Sequence, residues 1–243
     1  ILLSLFMPIL IIGVCVFFAI SEMWGPLPDF KTLENPETNL ATEIISADNE
    51  ILGSYFYENR THVDYTELSP ILINALIATE DERFFSHSGI DFIALIRVLK
   101  GILTGNKNLG GGSTITQQLA KMFFSKRPAS KIERVKQKFK EWIIAVRIER
   151  QYSKKEIITM YLNRFDFLNL AVGIKSASKI YFNTTPDSLT IEEAATLVGM
   201  AKNPSLYNPL RRIEKTKNRR NTVLHQMVKN NYLSKDSCDS LIK

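Results

Sequence analysis

The chain has 243 residues, 45% of them hydrophobic and 23% charged, an ordinary balance for one good-sized packed domain with an appendage. Its two cysteines, Cys15 in an apolar run and Cys238 near the far end, exclude a disulfide framework. The net charge of +6 is concentrated: Lys121 to Lys155 carries 12 Lys or Arg against 3 Glu. Such a block attracts a polyanion, whether nucleic acid, anionic lipid or a pyrophosphate. No nucleic-acid motif accompanies it, which makes nucleic acid the least supported partner.

The chain opens with Ile where a start Met is expected, which predicts a fragment of a longer protein. Ile1 to Ser21 contains no charged side chain, and about 20 such residues span the hydrocarbon core as a helix. With no cleavage site of small residues after it and Trp24 at its end, the segment reads as a single-pass anchor over residues 1–22. Gly25 to Leu40 holds three prolines and reads as a stalk, so residues 23–41 are assigned as linker. Thr42 to Tyr57 mixes β-branched and aromatic residues around Asp48-Asn49, which predicts a short strand pair.

From there the pattern is helical. Ser69-Pro70 is a cap with proline at the first helical position, and Glu80 falls at the far end of that helix. A carboxylate there faces the unfavourable end of the dipole, which suits a general base better than a cap. Asp91 to Thr104 is apolar on almost every face, broken by Arg97 and Lys100. It reads either as a buried core helix or as a segment resting in the membrane interface, and the upstream anchor favours the second. Residues 105–112 are rich in glycine and polar side chains, as a mobile lid would be. Thr114-Ile-Thr-Gln117 then has capping-box spacing, and the amides of that helix start, with Lys121 two turns on, could receive an anion.

Lys131 to Gln151 is the clearest amphipathic helix. Ile132, Val135, Phe139, Trp142 and Val146 recur at 3/4 spacing and are expected to form its buried stripe. Arg134, Lys138, Glu141, Ala145 and Ile148 share a second line, which reads either as a salt-bridge ladder or as a charged site. Further helices are expected from the Ser153/Glu156 capping box to Asn163, over Ala171–Tyr181, from Thr190 to Lys202, and from Arg211 to about Lys229.

Taken together, these residues resemble the peptidoglycan glycosyltransferase family, the transglycosylase domain of class A penicillin-binding proteins and monofunctional transglycosylases. The likeness covers about residues 42–230. Glu80-Asp81 with Phe84, His87 and Gly89 is similar to the first motif of that family. Gly112-Ser113-Thr114-Ile115-Thr116-Gln117-Gln118 with Lys121 is similar to the second, and Lys138-Phe-Lys-Glu141 to the third. Lys155-Glu-Ile-Ile with Tyr161-Leu-Asn163 resembles the fourth, and Glu193-Ala-Ala with Asn203-Pro and Tyr207-Asn-Pro209 the closing segment.

The resemblance implies a mainly α, lysozyme-like helical domain over residues 42–232, with a small β segment where the chain enters it and an N-terminal transmembrane helix before it. Residues 233–243 would be a tail or the start of a linker to a further domain. It implies a single-pass protein of the cytoplasmic membrane with its catalytic domain on the outer, periplasmic face. The implied substrates are lipid II and the growing lipid-linked glycan, with membrane lipids and cell-wall synthesis proteins as partners and no nucleic acid. By resemblance, Glu80 is the base that deprotonates the acceptor 4-hydroxyl, in an inverting displacement of undecaprenyl pyrophosphate. Arg97, Lys121 and Lys138 match positions that stabilise the leaving pyrophosphate, and Glu141 matches the second catalytic glutamate of the family, which helps orient that pyrophosphate. The family leaves room for a divalent metal, Mg2+ or Mn2+, at Glu141, and implies no organic cofactor. Ser113 and Gln118 would line the donor cleft.

Four departures stand out. Gln137 replaces a family arginine, Glu133 replaces another that neighbouring Arg134 is expected to substitute, Leu168 stands where glycine is common, and Asn183 interrupts Tyr-Phe-Gly. Two other readings stay open: a lytic transglycosylase or lysozyme-type hydrolase, and an inactive cell-wall scaffold. Ser176-Ala-Ser-Lys179 matches Ser-x-x-Lys, but no Lys-Thr-Gly follows, so it does not mark a transpeptidase.

Overall fold

The computed structural model describes residues 2–27, 42–48, 51–55, 59–60, 62–105, 111–124 and 128–242. In chain order, α1 (Leu2–Ile20) is followed by β1 (Thr42–Ile45), β2 (Ile51–Tyr55) and β3 (Asn59–Arg60). Then come α2 (Pro70–Glu80), α3 (Phe92–Thr104), α4 (Ile115–Lys121), α5 (Lys131–Gln151) and α6 (Lys154–Arg164). After β4 (Ala171–Val172) the chain closes with α7 (Ile174–Phe182), α8 (Ile191–Ala201), α9 (Ile213–Lys229) and α10 (Lys235–Ile242). The chain is therefore mainly helical. Two compact units form, one of residues 1–30 and 83–157, the other of residues 31–82 and 158–243.

In the first unit, α5 packs against both α1 and α4. The residues α5 buries are Lys140, Glu141, Ile144, Ala145 and Ile148, not the stripe expected from periodicity. Ile132 and Val135 are exposed, while Trp24, at the end of α1, stacks on Phe18 and lies 6.3 Å from the ring of Phe139. The reason is local: the apolar residues near the start of α5 have no helix over them among the described residues, whereas the line through Glu141 and Ala145 faces α4 and the Gly89 turn. Lys140 is drawn inwards because its ammonium donates to the carbonyls of Trp24 and Gly25, both at 2.9 Å, which satisfies groups left bare at the end of α1.

Helix α3 is capped by Asp91, whose Oδ1 accepts from the Ala94 amide at 2.9 Å while the carboxylate pairs with Arg83 at 2.7 Å. Burial pushes the Asp91 carboxyl up, but the Ala94 amide and Arg83 outweigh it and hold its pKa below the ordinary value. Only Ala94 and Gly101 of α3 are buried; Phe92, Ile93, Ile96, Leu99, Ile102 and Leu103 all face outward. This is not a core helix. Side chains of α1 are described at Met7, Leu10 and from Gly13 onward, and among the described residues no helix is long and apolar enough to cross a membrane. The greater part of the 105–112 loop lies outside the described residues.

The second unit has its core where α2, α8 and α9 pack on one another. Ser69 caps α2 with Pro70 at its first position, and Thr190 with Glu193 forms a two-way capping box on α8. Burying Leu72, Leu76, Leu197 and Leu224 contributes roughly 1.5–3 kcal/mol each. β1 pairs antiparallel with β2, and β3 runs parallel to β4. Helix α7 starts at Ile174 rather than Ala171, because Ala171 and Val172 are taken by the strand pairing and Gly173, at φ +82°, turns the chain between the two. The two family departures in this unit sit at left-handed positions. Leu168 has φ +65°, a conformation that strains a side chain, and Asn183 has φ +54° at the end of α7, which asparagine tolerates well. The tail at 233–243 contains α10, with Cys238 buried; both cysteines are free thiols.

Gly89 is the position least open to substitution in the first unit. Its φ is +90°, and a Cβ there would sit 2.9 Å from the backbone carbon and oxygen of Ala145. Gly89→Ala is expected to cost more than about 2 kcal/mol of stability, read by chemical denaturation. A variant unfolding with the parent would contradict this packing of the turn on α5.

Candidate active site

Gly89 also organises the site in the first unit. Its carbonyl accepts from Thr114 Oγ1 at 2.8 Å and from Gln117 Nε2 at 3.1 Å, both buried. Thr114 Oγ1 in turn accepts from the Gln117 amide, so at the start of α4, read from sequence as a seat for an anion, that amide is taken by the helix's own cap. Thr116 donates to Glu149 at 2.6 Å, and Lys154 binds Glu149 and the His87 carbonyl while lying 4.3 Å from the centre of the Phe84 ring. Thr114, Thr116, Gln117, Phe84, His87 and Gly89 thus form one knot that fixes the first two motifs to α5.

That knot presents Gln117 Oε1 to Lys138. The Lys138 ammonium donates to Gln117 at 2.9 Å, to Ser113 Oγ at 3.0 Å and to Glu141 Oε2 at 3.1 Å. All three ammonium protons are therefore directed. Burial lowers the Lys138 pKa first; Glu141 raises it, and Arg134 and Lys121 push it down again. Arg134 and Lys121 thus act electrostatically on the same charge. The glutamine that bonds Lys138 is Gln117, while Gln118 is half-buried one position on. Arg97 lies on α3 and reaches the Gly111 carbonyl at 3.5 Å.

Glu141 is 2% exposed, and its other oxygen accepts from Gln137 at 3.1 Å. Divalent ions of the Mg2+ class take several oxygen ligands. Glu141 offers one carboxylate, whose two oxygens are engaged here by Gln137 and Lys138, so a metal held at Glu141 would draw most of its other ligands from water and substrate phosphate oxygens.

The second unit holds Glu80, the last residue of α2. Its Oε1 lies 3.4 Å from an Arg219 guanidinium nitrogen, and the two side chains are only 14% and 11% exposed. Tyr161 is fully buried; burial, then the Glu80 charge, raise its pKa well above 10.0. Asp81, also buried, follows at the helix end, its amide bonding the Ile77 carbonyl. Asn163 bonds both the amide and the carbonyl of Val63, and so serves as a brace for the chain entering the unit. Arg219, Glu149 and Lys154 are not singled out by the sequence, and Tyr161 only as a letter of the fourth motif. Lys154 and Tyr161 lay within or beside motif letters; Arg219, 139 residues from Glu80, gave no local signal.

Lys138 is expected to titrate below 10.5, the ordinary lysine value. Between its folded pKa and that value the unfolded chain binds more protons, so the Lys138 contribution to stability rises with pH through that window. Glu141→Gln should lower the pKa further and Lys121→Ala should raise it, as followed by NMR of the lysine Cε. A Lys138 that titrates with exposed lysines would contradict the buried seat.

The chain is similar to known proteins along most of its length. A family profile described as Transglycosylase matches residues 48–228, well over half of the chain. Penicillin-binding protein 1A of Escherichia coli (strain K12) is 35% identical over 232 residues, covering 93% of this chain and 27% of that protein. Penicillin-binding protein 2a of Streptococcus pneumoniae serotype 2 is 41% identical over 195 residues, covering 80% of this chain and 26% of its own length. The chain thus spans about a quarter of the length of these relatives. The crystal structure of penicillin-binding protein 1A from Haemophilus influenzae overlaps 84% of this chain and 20% of that one at 22% identity, with a TM-score of 0.48, too loose to bear on the fold. By its profile and its motifs, this chain belongs to the transglycosylase family.

Proposed function

We propose that the chain is a peptidoglycan glycosyltransferase that polymerises lipid II into β-1,4 glycan strands. The observation that carries this reading is the Lys138 ammonium, held by Ser113, Gln117 and Glu141 with Lys121 and Arg134 in electrostatic range. A preorganised cation of this kind is what a departing pyrophosphate needs, and hydrolysis of a glycan strand releases no such anion.

In the proposed reaction the Glu80 carboxylate takes the proton from the acceptor 4-hydroxyl as its oxygen attacks the donor anomeric carbon. The bond from that carbon to the pyrophosphate oxygen breaks as the new one forms, the configuration inverts, and no covalent enzyme intermediate is needed. Lys138, supported by Lys121 and Arg134, neutralises the charge gathering on the lipid pyrophosphate. Glu141 and Gln117 hold Lys138 rather than touch the sugar, and Arg97 and Gln118 contribute to the walls of the donor site.

The reading extends to the membrane. The support is a charge-free α1, with Met7, Leu10, Phe17 and Ile20 exposed, and the outward apolar face of α3, whose Arg97 and Lys100 suit the level of lipid head groups. We take α1 as a single-pass anchor and α3 as resting in the interface on the outer face, with a lysozyme-like arrangement of the helical domain.

The test is lipid II turnover by the chain in detergent beside Glu80→Gln. Lysozyme-digestible polymer from the parent, and at least about a 100-fold loss in the variant, is expected. A parent that cuts preformed strands without making polymer would replace the reading with the lytic or hydrolytic one; equal activity of parent and Glu80→Gln would reject the base.

A further inference from the structure

Glu80 stands at the C-terminal end of α2, where the helix dipole opposes a carboxylate. In that position a base needs something to hold it, and the second unit brings a cation, Arg219, within reach. Arg219 comes from α9, and it is itself held on three sides. Its Nε donates to the Gly199 carbonyl at 3.4 Å, and its guanidinium carbon lies 5.9 Å from the centre of the Tyr207 ring. Its stem passes Gly199 so closely that a Cβ there would meet Cγ at 3.1 Å. The absence of a side chain at Gly199 is therefore what admits the arginine. With Arg219 11% exposed and Glu80 14% exposed, the pair lies largely out of water, where its attraction is screened far less than on a surface.

We propose that Arg219 is the positioning residue for the base: it fixes the orientation of the Glu80 carboxylate, so that one lone pair is directed at the acceptor hydroxyl before substrate arrives. This inference rests on the reading of Glu80 as the base. The role calls for arginine rather than lysine, because the planar fork can bond Gly199 and Glu80 at once while stacked on Tyr207, and a point charge on a flexible stem cannot. At 3.4 Å the contact is long, as catalytic hydrogen bonds often are before substrate binds. Arg219 touches neither sugar nor pyrophosphate and acts only through Glu80.

The same guanidinium lines an open cavity of about 400 Å³ with Tyr207, Lys202 and Lys215, wide enough to admit a small planar cation. That opening makes the role testable by chemical rescue. Lipid II polymerisation is measured for the parent, Glu80→Gln, Arg219→Ala and Arg219→Lys, with melting temperatures alongside. Arg219→Ala is expected to lower kcat by about 100-fold while KM for lipid II moves by less than about threefold. Millimolar guanidinium should restore at least about tenfold of that loss and have no effect on Glu80→Gln. Arg219→Lys should remain impaired; if Arg219→Ala does not fold, Arg219→Lys carries the comparison. A folded variant with kcat within about threefold of the parent, or a loss that guanidinium leaves untouched, overturns the proposal. Glu80→Gln separates the two failures: its full activity would reject the base itself, whereas an inactive Glu80→Gln beside an active Arg219→Ala would reject only the positioning.

Discussion

The first unit depends on keeping one ammonium charged in a place that resists charge. Drawing Lys138 partly out of water, to a side chain 30% exposed, is unfavourable and pushes its pKa down. The cost is tolerable because each of its three protons finds an acceptor, and because one of those acceptors, Glu141, is itself a buried carboxylate. A cation prepared in this way needs no rearrangement when negative charge develops nearby. Pre-set charge of that kind acts on a transition state more effectively than a mobile lysine in water.

The polar letters of the first two motifs follow from the same constraint. Thr114 and Gln117 converge on the Gly89 carbonyl, and Gln117 turns its other end to Lys138, so a turn with no chemistry of its own sets the position of the cation. Glycine is required at 89 because the chain passes α5 with a positive φ at near-contact distance. In the second unit Asn163 does comparable work on the chain at Val63, and Gly199 makes room for Arg219. Much of what reads as catalytic signature is therefore bracing, around Glu80 and Lys138 as the two groups proposed to act.

The capping signals at Ser69, Thr190 and Ser153 were legible because they are local, and each appears where its spacing placed it. Glu80 at the end of α2 was legible for the same reason. The face of α5 was not. Periodicity marked two lines on that helix, and the more apolar one was the natural choice for the core; the chain instead buries the line of Glu141, Ala145 and Ile148 because α4 and Gly89 lie against it. Leu168 and Asn183, which read as irregularities, share a left-handed backbone that a family glycine would enter without strain. Arg219 left no trace in sequence, since its partners Glu80 and Gly199 meet it only once α2, α8 and α9 have packed.

The proposed role of the Lys138 cluster is to seat a lipid pyrophosphate. It is tested most directly by calorimetric titration of the chain in detergent with farnesyl pyrophosphate and farnesyl monophosphate, beside Lys138→Met, which keeps the stem and removes the charge. The account predicts that the parent prefers the pyrophosphate and that the variant loses at least about tenfold in affinity for it, a difference of about 1.4 kcal/mol. Equal affinity in parent and variant would contradict this seat, because the half-buried Lys138 would then be holding the fold together and nothing else.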